Sequence, residues 1–330
     1  MRVFVTGIEG AASLNTVMLL DALTKSNAAW RALHDRSAPD LFEPLAVGTD
    51  HRPIEFANGV RVDPAVVAGG DVRPDLVVVP GLDDNVYSSL ERNRHWVPWI
   101  AKWAADGTII ASSCTGAFIL AEAGILDGRR ATTHWVAATL FRARYPNVDL
   151  AIDRVVIDEG SAITSGGATT ALNLVHYLVF RFGSADRARA ATQMMLLDSG
   201  RSSQLPFAMI GLHREHDDQV VLEAQSAIQQ DLVADLTVAA VAEFVNVTPR
   251  TLARRFRDAI GMSPKAYIDE VRIESAKHLL EQTSQPVDRI RADVGFLDPT
   301  AFRRAFKRAV GTTPTEHRRR FGATHTRAVG

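Results

Sequence analysis

The chain has 330 residues, 46% of them hydrophobic and 23% charged, which is enough apolar material for two ordinary domains and too much for disorder. A single cysteine, Cys114, excludes a disulfide framework and any multi-cysteine zinc site, and no apolar run approaches the roughly 20 residues that a bilayer span needs. The net charge of −1 conceals a split, because residues 221–330 carry 17 Lys and Arg against 13 Asp and Glu, whereas residues 1–220 carry 20 against 25. An acidic body with a basic end points to a polyanion partner for the end. The one cysteine suits a reducing compartment, and a cytoplasmic location is expected.

In chain order, residues 2–7 (RVFVTG) read as a strand rather than a secretory segment, since Glu9 and Asn15 soon follow. A helix is predicted over 14–25, a buried strand over 75–80 (DLVVVP), a helix over 96–105, a strand over 107–113 (GTIIASS) and a helix over 116–123. Further short strands are predicted over 129–132, 153–157 and 162–164, then an apolar helix over 168–180. Continuous apolar strands alternating with helices indicate a mostly parallel sheet covered on both faces. Residues 199–216, with Gly200, Pro206 and Gly211, read as a linker. His213 and His216 in it have the spacing of helical metal ligands, but neither a metal nor a cofactor is expected. From about residue 217 onward the pattern is entirely helical.

That helical end contains a repeat. Residues 248–264 (TPRTLARRFRDAIGMSP) align with 298–314 (DPTAFRRAFKRAVGTTP) at an offset of 50, sharing Pro249/Pro299, Arg254/Arg304, Phe256/Phe306, Gly261/Gly311 and Pro264/Pro314. Each copy opens on a capping residue followed by Pro and closes on Gly, the start and stop signals of a helix. Upstream, Val238, Val241 and Val245 answer Val287, Ile290 and Val294, with Asn246 opposite Gly295 at the turn. Each copy is therefore a helix-turn-helix. At 100° per residue, Leu252, Phe256 and Ala259 point inward while Arg250, Arg254 and Arg257 point outward. In the second copy, Phe302, Phe306 and Ala309 point inward and Thr300, Arg304 and Lys307 outward, with Arg303 at the edge. Cationic helix faces of this kind suit the DNA major groove, where Arg bonds guanine in bidentate fashion. The expected contacts are Arg250, Thr251, Arg254 and Arg257 from the first copy and Thr300, Arg303, Arg304 and Lys307 from the second.

These residues resemble the DNA-binding domain of AraC/XylS-type transcription regulators, in which two helix-turn-helix units are joined by a long helix, here residues 264–281. Gly261, Ser263, Pro264, Tyr267, Arg272, Ala276, Leu279 and Leu280 match the family pattern, as do Gly295-Phe296, Phe302 through Phe306, and Gly311 with Pro314. The sequence departs from it at Arg291, where a small Ala is usual, and at His317, which replaces an aromatic.

At the front, Cys114 falls between a strand and a helix, an elbow that holds its side chain at the carboxyl edge of the sheet, where open α/β sheets bind ligands. A helix N-terminus there would favour the thiolate, and Gly116 would permit close backbone approach. Residues 112–135, with DLVVVPG before and ITSGGATTALNLVHYLV after, resemble the ThiJ/PfpI-like branch of the class I glutamine amidotransferases. That resemblance implies a flavodoxin-like sheet sandwich that commonly dimerises. Where related peptidases have His after the cysteine this chain has Thr115, and where relatives have an acid at the first helix it has Asn15, so the expected catalytic set is missing. Glu9 belongs to the preceding loop. The CTG elbow with TTHW (His134) also resembles isocyanide hydratases, which leaves a cysteine-dependent hydrolase or hydratase as the competing reading.

The expected architecture is thus a flavodoxin-like sensor and dimerisation domain over 1–198, a linker over 199–216, a double helix-turn-helix domain over 217–322 and a tail over 323–330. The combination resembles regulators that sense arginine, betaines or carnitine-like metabolites. It implies double-stranded DNA, a small and nitrogenous effector, RNA polymerase and a second copy of the chain as partners, with no membrane. The expected pocket comprises Glu9, Asn15, Gly81, Leu82, Cys114, Thr115, His134 and Gly167.

Overall fold

A computed structural model describes residues 1–197, 203–208, 216–230 and 236–322. Contacts divide the chain into two compact units, Met1–Gln204 and Leu205–Gly330. Of the expected linker, residues 199–202 and 209–215, including His213, lie outside the described residues, as does the tail 323–330. The rest of that stretch is not free chain: Gln204 is buried in the first unit, and Leu205–Phe207 forms a single 3-10 turn of the second.

The first unit alternates strands and helices. Its strands are β1 Arg2–Thr6, β2 Glu43–Gly48, β3 Ile54–Glu55, β4 Arg61–Val62, β5 Val66–Val67, β6 Leu76–Val79, β7 Ile109–Ser113, β8 Arg130–Ala131, β9 Asp149–Leu150, β10 Val156–Asp158 and β11 Ala162–Ser165. Among the described residues seven of them form one sheet in the order β10-β11-β7-β6-β1-β2-β5. Every pairing is parallel except β10 with β11. β3 with β4 and β8 with β9 make two separate ribbons. The helices are α1 Ser13–Leu33, α2 Val86–Arg92, α3 Trp96–Ala105, α4 Ala117–Glu122, α5 Ala138–Arg144, α6 Thr170–Phe182 and α7 Ala185–Met195.

Alternation along the strands divides the core in two. Val3, Val5, Leu76, Val78, Ala111 and Ile163 pack beneath α1, α6 and α7. Phe4, Val77, Val79 and Ile110 pack against Trp96, Trp103, Phe118 and Phe141 on the other face. The strand order reverses at β1 and β6, so the loops after them, with the turn after β7, form the crevice where such sheets take ligands. Two predicted elements are extended here: the first helix runs on to Leu33, and the helix over 116–123 is preceded by a 3-10 turn at Cys114–Gly116. β2 carries Pro44 and only a short apolar run, which hid it from pattern reading.

The second unit is helical: α8 Gln219–Gln230, α9 Val238–Phe244, α10 Pro249–Ile260, α11 Pro264–Gln282, α12 Val287–Asp293, α13 Pro299–Val310 and α14 Pro314–Phe321. It has two cores, one for each helix-turn-helix. Val241, Leu252, Phe256, Tyr267 and Ile268 build the first, and Ile273, Leu280, Ile290, Phe302 and Phe306 the second. The long α11 supplies residues to both and so joins them.

Candidate effector pocket and nucleic-acid interface

The front site is set by backbone geometry. Cys114 sits at φ +58°, in the left-handed region that non-glycine residues avoid, and its N–H donates to the Gly166 carbonyl at 2.9 Å. The turn requires glycine two residues on, because a methyl at Gly116 would overlap the carbonyl oxygens of Val79 and Pro80. Gly81 lies under the elbow, where an added Cβ would stand 2.8 Å from Asn15 Nδ2 and 3.2 Å from Cys114 Sγ. The Asn15 amide and the thiol therefore converge over Gly81. Leu82 is fixed beside them, its N–H donating to the Thr115 hydroxyl at 2.8 Å.

The His134 ring packs against Gly167, where any side chain would collide with it. Its Nδ1 accepts from the Val136 N–H at 3.1 Å, which leaves Nε2 as the protonated nitrogen of the neutral ring. Burial pushes the His134 pKa down against the pull of Asp84, whose charge also acts on Cys114. Asn15, Gly81, Leu82, Cys114, Thr115, His134 and Gly167 thus gather round one turn. Glu9 stands apart, in a small recess with Asp50, Arg52 and His95, and its backbone is pinned to the Asn93 amide at 2.9 and 3.1 Å.

Sequence reasoning missed Gln204. Its Nε2 donates to the Thr133 carbonyl at 2.8 Å and its Oε1 accepts from the Trp135 N–H at 3.3 Å, while its side chain lies against Gly166. A polar residue in a stretch that reads as linker carries no signal of this role.

The helix N-terminus does not make Cys114 a thiolate. Burial pushes the thiol pKa up, and the backbone N–H groups of Ala168 and Thr115 oppose the shift without reversing it. Among the described residues no histidine or carboxylate bonds the sulfur, whose hydrogen-bonding side chain is the Thr115 hydroxyl at 3.9 Å. Thiol chemistry of the usual kind needs such a base.

The second unit builds two matched faces. Thr248 caps α10 by accepting from the Thr251 N–H at 3.2 Å, and Asp298 caps α13 by accepting from the N–H groups of Thr300 and Ala301, both at 3.0 Å. Each turn closes on a left-handed residue, Asn246 at φ +53° and Gly295 at φ +81°. Each second helix ends at a left-handed glycine, Gly261 or Gly311. Leu252, Phe256, Phe302 and Phe306 are buried, whereas Arg250, Arg254, Arg257, Thr300, Arg303, Arg304 and Lys307 are exposed. Among the described residues none of those exposed cations has a salt bridge. Arg255, between them in sequence, instead pairs with Asp218, its Nη1 donating to both carboxylate oxygens at 3.0 Å. Thr251 is half-buried, sharing a 3.0 Å hydrogen bond with Thr248.

The two departures from the AraC/XylS pattern fit this unit. Arg291 reaches across the second turn and donates to the carbonyls of Phe296 and Leu297, stapling it. His317 fills an aromatic place, edge-on to Phe306 at 5.6 Å and 4.8 Å from Phe321, and its Nε2 meets Glu281 Oε1 at 2.8 Å.

The "DJ-1/PfpI family" model matches residues 1–180 and the "Helix-turn-helix domain" model residues 241–320. The chain belongs to the DJ-1/PfpI family and ends in an AraC-type helix-turn-helix domain. It is 28% identical to the HTH-type transcriptional regulator CdhR of Pseudomonas aeruginosa over 86% of this chain and 84% of that one. It is also 30% identical to an isonitrile hydratase of Pseudomonas putida, over 53% of this chain and 76% of that enzyme. A solved protein from Vibrio parahaemolyticus, 20% identical, shares the fold of the front unit with a TM-score of 0.51 over 59% of this chain and 98% of that one.

Two outcomes follow from the titrating groups. Iodoacetamide at pH 7 should alkylate Cys114 more slowly than a free cysteine peptide, because burial pushes the thiol pKa up and lowers the thiolate fraction; faster reaction than the free peptide would contradict a buried neutral thiol. For His317, burial holds the folded pKa below the ordinary value despite Glu281. The unfolded chain therefore binds the proton first, and stability falls as pH drops below about 6.5. His317→Phe should reduce that acid sensitivity, seen as a smaller drop in melting temperature between pH 7.5 and 5.5 than in the parent chain.

Proposed function

We propose that this protein is a sequence-specific transcription regulator. Its second unit binds double-stranded DNA, and its first holds a small effector over the Cys114 turn. One observation carries the reading: two separately capped helices, each with its apolar stripe buried and its outward cations (Arg250, Arg254 and Arg257; Arg303, Arg304 and Lys307) exposed without salt bridges among the described residues, presented 50 residues apart by one chain. Arg250, Thr251, Arg254 and Arg257 contact one groove segment, and Thr300, Arg303, Arg304 and Lys307 the next. α11, which joins the two halves, has 19 residues, or about 28 Å at about 1.5 Å per residue. That is comparable with the ~34 Å of one DNA turn.

The pocket offers an amide from Asn15, a ring N–H from His134 and the nearby charge of Asp84, a set that suits a small nitrogenous molecule. Similarity to a regulator over most of both chains supports the reading, and with it a cytoplasmic location and RNA polymerase as a partner. A groove of about 800 Å³ along α1, lined by Leu14, Val17, Met18, Leu172 and Met194, suits pairing of two front units.

The similarity to the hydratase favours a second reading, in which Cys114 turns over an isocyanide. Turnover abolished by Cys114→Ala would establish it, whereas unchanged DNA binding by Cys114→Ala with no turnover in the parent chain supports the regulator.

The DNA assignment is tested by comparing two substitutions on a selected binding site. Arg254→Ala should cost about 1–3 kcal/mol and relax preference at one or two base pairs. Lys307→Ala should weaken all sequences alike and flatten the salt dependence, as loss of a phosphate contact does. Indifference of sequence preference to Arg254→Ala would remove it from base reading.

A further inference from the structure

A groove of about 440 Å³ opens beside α13, walled by Lys265, Asp269 and Arg272 of α11, by Phe296 and Leu297 of the turn, and by Thr300, Arg304 and Arg308. Arg272 is the unusual member. It is 8% exposed, yet among the described residues its guanidinium makes no hydrogen bond or ion pair, its Nε is buried without a partner there, and it lies over the Phe296 ring at 5.9 Å. A guanidinium whose Nε is shut away from water with no anion beside it is costly, and its terminal nitrogens open on the groove, so the fold leaves a place for an acceptor there.

The groove's own acids do not fill that place. Asp269 is held by the Lys265 ammonium at 2.5 Å, and both oxygens of Asp298 are taken by the N–H groups of Thr300 and Ala301 at 3.0 Å. The other charged walls, Arg304 and Arg308, are exposed cations without a salt bridge among the described residues.

We infer that Arg272, with Lys265 and Arg308 flanking it, binds a phosphate of the DNA backbone when α13 enters the major groove. The occupant follows from placement. Thr300, Arg304 and Arg308 recur at i, i+4 and i+8 along α13, so the groove shares a wall with the face that carries Thr300 and Arg304. A strand of DNA following that face passes the groove mouth, and a phosphate oxygen pair matches the guanidinium fork. The inference rests on the DNA-binding reading above and adds to it a backbone contact made from the joining helix, separate from the residues that read bases.

The experiment uses the full chain with a 30-base-pair duplex of mixed sequence, titrated between 50 and 200 mM salt, and melting curves of the same proteins. Arg272→Met should weaken binding about fivefold and lower the slope of log affinity against log salt by about one. Its melting temperature should be unchanged or higher, because an unpaired buried charge has been removed. Arg272→Lys should keep the salt slope. Equal affinity and slope for the parent and Arg272→Met would overturn the inference while leaving DNA binding intact, whereas failure of the parent to bind any duplex would overturn the DNA-binding reading itself. Loss of affinity accompanied by a lower melting temperature would reassign Arg272 to packing. Stabilisation of the parent by inorganic phosphate, absent in Arg272→Met and without effect on DNA affinity, would assign a free-anion site instead.

Discussion

Burial of four side chains decides what the second unit can do. Leu252 and Phe256 in α10, and Phe302 and Phe306 in α13, have at most 1% of their surface exposed, each contributing about 1.5–3 kcal/mol. A helix has one inward stripe, so fixing that stripe fixes the opposite one. Arg250, Arg254 and Arg257 in one copy, and Thr300, Arg304 and Lys307 in the other, are turned to solvent by the packing of their neighbours. The caps Thr248 and Asp298 and the left-handed turn residues Asn246 and Gly295 then determine where each helix starts and how sharply it meets the one before it. Polyanion binding is the chemistry left to such a surface.

The front unit is governed by a different constraint, the close passage of a turn over a sheet edge. Gly116 lets the elbow approach β6, and Cys114 accepts a left-handed backbone to make the bend. The same tight packing removes water from the thiol, so that desolvation outweighs the helix N-terminus at the position that marks a nucleophile elsewhere. Thr115 offers a hydroxyl that is hydrogen-bonded to Leu82, and Asn15 an amide, where an imidazole and an acid would provide proton transfer. Recognition of a ligand needs the first kind of group, and thiol catalysis needs the second.

Much of this was legible in the sequence, for reasons that differ by region. The double helix-turn-helix could be read because Pro, Gly and capping residues recur at a fixed offset and the aromatic stripe repeats with them. The central strands β1, β6, β7 and β11 could be read from continuous apolar runs. β2 could not, since Pro44 interrupts its pattern and its pairing with β1 is a long-range contact. The direction of the thiol shift was also hidden, because burial is a property of the packed elbow and not of the residues CTG. Gln204 and Arg272 were invisible as site residues for opposite reasons: one lies in apparent linker, and the other reads as a family position whose lack of an acceptor only coordinates reveal. The sequence pattern also left Arg291 and His317 as bare departures from the family, whereas the structure shows one stapling a turn and the other filling an aromatic place.

The central claim is that a single chain presents two DNA-reading helices one groove turn apart. Selection of bound duplexes from a randomised library by the full chain tests it most directly. The account predicts enriched sequences with two conserved blocks whose centres lie about 10 base pairs apart per chain, the spacing of the blocks being fixed. Enrichment of one short block alone, of two blocks at variable spacing, or of no sequence at all would contradict it.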